Sequence, residues 1–170
     1  MLIVLSGLPA TGKSAIADGI ARARKTPVLS VDPIESAIVQ AGIPQTFETG
    51  LAAYLIALTL ADRNLAAGLD PVIDAVNSVE QAKDWWRELA AKRAVVLRII
   101  GCVVSDGALH RTRLASRQRG LAFAEPNWDE DERRRPEWTT WPEPHLTLDA
   151  LDSTDANLAK ALAYVAGPSN

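Results

Sequence analysis

The stretch Gly7-Leu8-Pro9-Ala10-Thr11-Gly12-Lys13-Ser14 carries the spacing G-x-x-x-x-G-K-S without a gap. These are the residue types a bound phosphate needs. Glycines let the backbone curl round an anion and aim its N–H groups inward. A helix opening at the second glycine adds the partial positive charge of its N-terminus at the same place. Lys13 can reach terminal phosphates, and the Ser14 hydroxyl can hold Mg²⁺. The apolar run Leu2-Ile3-Val4-Leu5 just before reads as a buried strand, and Gly12 to Arg24 reads as a helix. That strand–turn–helix context is the one in which this spacing forms a phosphate-binding loop.

Other residues could act beside such a loop. Asp32 closes the second apolar run, Pro27 to Val31, and a carboxylate there can accept the proton of an attacking hydroxyl or cap the helix that begins near Pro33. Glu35 follows one helical turn later. Asp74 ends the third run, Pro71 to Ala75, where an acid can serve Mg²⁺ through water or touch a substrate. Asn77 suits a substrate contact or a helix cap. Arg113 and Arg117 are four apart, on one face of a helix read from Asp106 to Arg119, with Arg119 in reserve. His110 and His145 have no Cys/His neighbours at metal-ligand spacing and read as structural, and Cys102 reads as a core residue. Trp138 and Trp141 could wall a substrate pocket or pack a core, and Asp149 could touch nucleotide or anchor a loop.

The elements that must position these groups follow a simple order. Short apolar runs alternate with longer helical patterns, which predicts a parallel sheet wrapped by helices. Further helices are predicted over 33–41, 46–67, 78–92 (with Ser78 and Gln81 as a capping box) and 155–165, and further strands over 94–103 and 145–148. Between 120 and 143 lie Pro126, Pro136 and Pro142 and no strand pattern; Asp129 to Arg135 reads as a short charged helix ended by Pro136. This segment suits a lid. The segment from Gln45 to Ala67, with Phe47 and Tyr54, is expected on the acceptor side.

Composition bounds the rest. With 170 residues, 48% hydrophobic and 23% charged, the chain is expected to form one domain over 1–170, with the lid at about 113–143. A net charge of −3 excludes a disordered chain, and one cysteine excludes a disulfide scaffold. The acidic balance argues against a nucleic-acid coat. No apolar stretch is long enough for a membrane span, and Met1 to Leu5 lacks the flanks of a signal peptide, so a cytoplasmic location is expected. Arginines outnumber lysines 13 to 5, and seven of the 13 lie between 111 and 135. The motifs of GTPases are absent: no Asp has Gly three places later, and no Lys follows Asn.

The phosphate loop, Ser30-Val31-Asp32, Asp74-Ala75-Val76-Asn77, and the helix bearing His110-Arg111-Thr112-Arg113 and Arg117 together resemble small P-loop kinases. The resemblance is to the AAA_33/zeta-toxin-like group, related to polynucleotide 5′-hydroxyl kinases and chloramphenicol phosphotransferases. It implies a P-loop NTPase three-layer sandwich with a five-stranded parallel sheet in the order 2-3-1-4-5 and a helical lid. It implies ATP and Mg²⁺ as cofactors and transfer of the γ-phosphoryl group to a hydroxyl of a small molecule: a sugar, nucleoside, amine-bearing metabolite or antibiotic. On this resemblance Lys13, Asp32 and Arg117 are catalytic. Gly7 to Ser14, Arg113 and Arg117 hold nucleotide, Asp32, Glu35, Asp74 and Asn77 face substrate, and Ser14 and Asp74 face the metal. At the position of Glu35 the polynucleotide kinases carry an arginine, and the reversed charge disfavours a nucleic-acid end as acceptor. A nucleotide-sugar or polynucleotide 5′-hydroxyl kinase and an ATP-binding regulatory module acting through a protein partner are the alternatives. The oligomeric state is not legible.

Overall fold

Leu2–Ser6 (β1) is buried along its whole length, and its alternate side chains enter two different cores. Leu2 and Val4 join one, with Trp86, Ile99 and three alanines of a long helix; Ile3 and Leu5 join the other, with Ile16, Ile20, Ile100 and Val165. A central strand that is apolar on both faces requires helices on both sides. The computed structural model, which describes residues 1–135 and 140–167, has that arrangement. After β1 come α1 (Lys13–Arg24), β2 (Val28–Ser30), α2 (Val31–Gln40), α3 (Phe47–Ala66), β3 (Val72–Asp74), α4 (Glu80–Lys92), β4 (Leu97–Val103), α5 (Gly107–Ala115), α6 (Trp128–Arg134), β5 (Leu146–Asp149) and α7 (Thr154–Ala166).

The five strands are parallel and ordered β2-β3-β1-β4-β5, as expected. Register sets the site. Leu5 and Ser30 both pair with Asp74, so the carboxyl ends of β1, β2 and β3 finish side by side. Open α/β sheets bind ligands at that edge. Ala53, Ala57 and Ala61 recur every fourth residue of α3 and are fully buried, and small side chains there let α3 lie close to the sheet.

Three local expectations differ. Helix α2 begins at Val31, so Asp32 stands in its first turn, and the cap position is Ser30. Helix α5 stops at Ala115 rather than Arg119; Ser116 caps it and the chain turns away, because Arg117 and Arg119 find acidic partners outside the helix. The Ser78/Gln81 capping box does not form: α4 is preceded by Val79 with no side-chain cap. Boxes form instead at Thr46/Thr49 and Asn127/Glu130. Pro136 and Trp138 lie outside the described residues. No helix among the described residues is long and apolar enough to cross a membrane.

Candidate active site

The loop between β1 and α1 is built by steric demand. A Cβ on Gly7 would lie 2.2 Å from the Cys102 carbonyl oxygen of the neighbouring strand, so only glycine passes there. Ala10 (φ 62) and Gly12 (φ 87) take left-handed conformations, the alternation that gathers N–H groups into an anion nest. Lys13 lies across the loop with Nζ donating to the Leu8 carbonyl at 2.9 Å. Its burial lowers the ammonium pKa, and Asp74 opposes that shift. The loop residues Ala10 to Ala15, with Arg113, Arg117 and Arg119, line a cavity of about 290 Å³. Four basic side chains thus surround the nest. Burial, and then the like charge of Arg119, lowers the pKa of Arg117.

The Ser14 hydroxyl donates to Asp74 Oδ2 at 2.7 Å, and the Ser30 hydroxyl to the same oxygen at 3.2 Å. A hydroxyl and a carboxylate beside a phosphate nest form the oxygen set that suits Mg²⁺, which prefers few protein ligands and substrate phosphates. These residues therefore fit the metal. Asp32 faces the same cleft, which Lys13, Ser14, Asp74, Arg117 and Arg119 also line. Arg119 Nη1 donates to Asp32 Oδ2 at 2.5 Å, while its Nε and Nη2 clamp Glu125 at 2.8 and 2.9 Å. Burial works against the Arg119 charge, but hydrogen bonds to Glu125 and Asp32 outweigh it and raise the pKa.

Asp32 also borders a second cavity, shared with Glu35, Gly50, Tyr54 and Ser78. Tyr54 of the 45–67 segment therefore lies on this side, whereas Phe47 is 80% exposed and does not line this cavity. Asn77 corrects the expectation of a substrate contact. It is fully buried in a left-handed conformation (φ 51). Its amide donates to the Leu5 carbonyl at 3.0 Å, its Oδ1 accepts from Trp86 Nε1 at 2.9 Å, and its backbone N–H donates to the Tyr54 hydroxyl at 3.0 Å. Its side chain and backbone N–H are thus spent on holding β1, α3 and α4 at the site. Asn77→Ala is expected to cost about 2–3 kcal/mol, since it strains a positive-φ position and leaves the Trp86 N–H unpaired. Denaturant unfolding measures this.

Trp141 packs in the core beside Lys83 and Arg87. Arg113 lines the phosphate cavity and donates to the Ala150 carbonyl at 3.0 Å, and Asp149 anchors its loop by accepting from the Ser105 and Leu151 N–H groups. Cys102 is a buried core residue whose thiol pKa is pushed up to about 12 by burial.

Three features were not legible beforehand. Ser30 joins Ser14 on Asp74. His110 is almost fully buried, with Nε2 donating to the Pro9 carbonyl at 2.8 Å; its Nδ1 therefore accepts, and Arg135 Nη2 donates to it at 3.1 Å. Asp131, read as part of a short charged helix, is 1% exposed and lies 3.3 Å from Arg135. With Trp128 edge-on to His110, these contacts dock α6 on the phosphate loop. A run of four acids carries no periodic signal that singles out the buried one.

A five-stranded parallel sheet in the order 2-3-1-4-5, with a glycine-rich phosphate nest between its first strand and first helix, defines a P-loop NTPase three-layer sandwich. Residues 2–135 match AAA_33, described as an AAA domain, and the chain belongs to that family. Solved structures share the fold at low identity. A sugar kinase from Janibacter sp. HTCC2649 matches at TM-score 0.72 and 18% identity, over 96% of this chain and 93% of that one. The Mycobacterium tuberculosis APS kinase CysC in complex with AMPPNP and APS matches at TM-score 0.74 and 15% identity, over 98% and 97%. A gluconokinase from Sinorhizobium meliloti 1021 matches at TM-score 0.67 and 19% identity, over 96% and 90%. No curated protein sequence matches the chain significantly.

Proposed function

We propose that this chain is an ATP-dependent kinase that transfers the γ-phosphoryl group to a hydroxyl of a small molecule. The observation that carries the reading is the place of Asp32. It borders both the cleft of Lys13, Ser14 and Asp74 and the separate cavity of Glu35 and Tyr54, so one carboxylate lies between a phosphate site and a second ligand site. The structural neighbours named as sugar kinase, gluconokinase and APS kinase support the same class.

In this reading the loop amides and Lys13 hold the phosphates, and Arg113 flanks the nucleotide. Ser14 and Asp74 would hold Mg²⁺, which would supply positive charge against the phosphates. Asp32 orients the acceptor hydroxyl and takes its proton as the oxygen bonds to the γ-phosphorus. The bond from that phosphorus to the β–γ bridging oxygen breaks, and ADP leaves. Arg117 offsets the charge on the transferring group. In this reading α6, the described helix of the expected lid, covers the phosphate loop and excludes water, and the fine relation is to the zeta-toxin-like kinases.

The test is ADP release from Mg-ATP against nucleosides, nucleotide sugars, sugars, aminoglycosides and 5′-hydroxyl oligonucleotides, with ³¹P NMR of the product. Acceptor-stimulated release with a new phosphomonoester is the expected result. ATP binding with release indifferent to every acceptor would turn the reading towards a partner-dependent nucleotide-binding module.

A further inference from the structure

The second cavity has an uneven charge balance. It encloses about 170 Å³, below the roughly 300–1,000 Å³ of sites for drug-sized ligands, and so suits a ligand of monosaccharide size. Three carboxylates border it (Asp32, Glu35 and Asp131), and no Lys, Arg or His is among the described residues that line it. The first has a basic partner at close range. Asp32 pairs with Arg119 at 2.5 Å. Glu35 has no basic partner among the described residues; its Oε1 accepts the Thr49 hydroxyl at 3.1 Å.

Asp131 is answered on one side alone. Its Oδ2 lies 3.3 Å from Arg135 and 3.9 Å from His110. Its Oδ1 is buried and has no hydrogen-bond partner among the described residues. A buried carboxylate oxygen without a donor is costly, and native structures seldom leave one unmet. Two incompletely satisfied carboxylates on one small cavity ask for donors and positive charge, and repel an anion.

We infer that the acceptor is a small amino polyol, whose ammonium group is held at Glu35, with the Asp131 charge behind the cavity wall, while a nearby hydroxyl meets Asp32. This rests on the kinase reading above. An ammonium offers three N–H donors and a full charge, so it answers Glu35 directly and offsets the buried Asp131 charge at short range. The Tyr54 hydroxyl accepts the Asn77 N–H, which leaves its own proton for a ligand hydroxyl. Burial raises the Asp131 pKa, and a bound ammonium acts against that shift. Carboxylated or phosphorylated acceptors meet no cation among the described residues of this cavity. Glu35 is then the residue that sets specificity by charge.

Matched probes test this on the full chain with Mg-AMPPNP present: D-glucosamine, D-glucose and D-gluconate, which differ in an amine, a neutral group and an acid. Calorimetric titration is expected to give glucosamine at least about tenfold tighter binding than either other probe, the worth of a charge-assisted hydrogen bond. Glu35→Gln is expected to remove most of that preference while leaving AMPPNP binding unchanged. Glu35→Lys is expected to reverse it towards gluconate. Equal or tighter binding of gluconate by the wild type overturns the inference, as does binding of none of the three or a preference that survives Glu35→Gln. ADP release with the same probes keeps the two readings apart. Phosphorylation of gluconate alone leaves the kinase standing and removes the amine. Glucosamine binding without phosphoryl transfer upholds the ligand class and removes the kinase.

Discussion

Asp32→Asn is expected to lower kcat by about 10²- to 10⁴-fold, the usual worth of a positioned general base. Asparagine keeps the size of the side chain and can still accept from Arg119, so the geometry of the cleft survives. What it removes is the charge that draws the acceptor proton. In the proposed reading the phosphates are held by other groups, the nest and the lysine and arginines that line the first cavity. Nucleotide affinity should therefore stay within about twofold of wild type, since no phosphate contact is lost. The Asp32–Arg119 pair is partly exposed, and its loss should cost about 1 kcal/mol of stability at most. Steady-state kinetics, nucleotide titration and a melting curve separate these effects. An unchanged kcat with a working acceptor would remove Asp32 from the chemistry and leave it a partner of Arg119.

Lys13→Ala should affect binding and turnover together. Its ammonium is the cation that crosses the nest itself, and it is 6% exposed. Loss of a preorganised charge of this kind costs about 10²- to 10³-fold in turnover, with nucleotide affinity falling as well. The fold should respond in the opposite direction. Burial lowers the Lys13 pKa below the ordinary 10.5, so the folded state binds that proton less well than the unfolded chain. The buried charge destabilises wild type in full below the folded pKa, and this penalty fades as pH rises towards 10.5. The variant's stability relative to wild type should therefore be greatest near neutral pH and decline as pH rises towards 10.5. Urea unfolding of both proteins across that range measures the trend; a difference that grows with pH would contradict the sign.

The phosphate nest was readable because its determinants are local. Gly7, Gly12, Lys13 and Ser14 lie within one turn between an apolar strand and a helix, and their backbone needs depend on near neighbours. The sheet was readable because runs such as Leu2–Leu5 are apolar on both faces, which demands two helical layers whatever the detail. Asp74 was readable as the last residue of its strand.

Pairings between distant segments belong to the tertiary structure. Arg119 meets Asp32 across 87 positions, and that contact, with the Glu125 clamp, draws the arginines out of a helix their spacing would extend. Asn77 has the residue type of a cap or a substrate ligand, yet Leu5 and Trp86 consume it from opposite sides. Asp131 is one acid in a run of four, and only the docking of α6 on His110 and the phosphate loop makes it the buried one. Periodicity along the chain determines which face of an element is apolar and what a turn can hold. It carries no information about which charge on another element arrives opposite, because that depends on how whole helices pack.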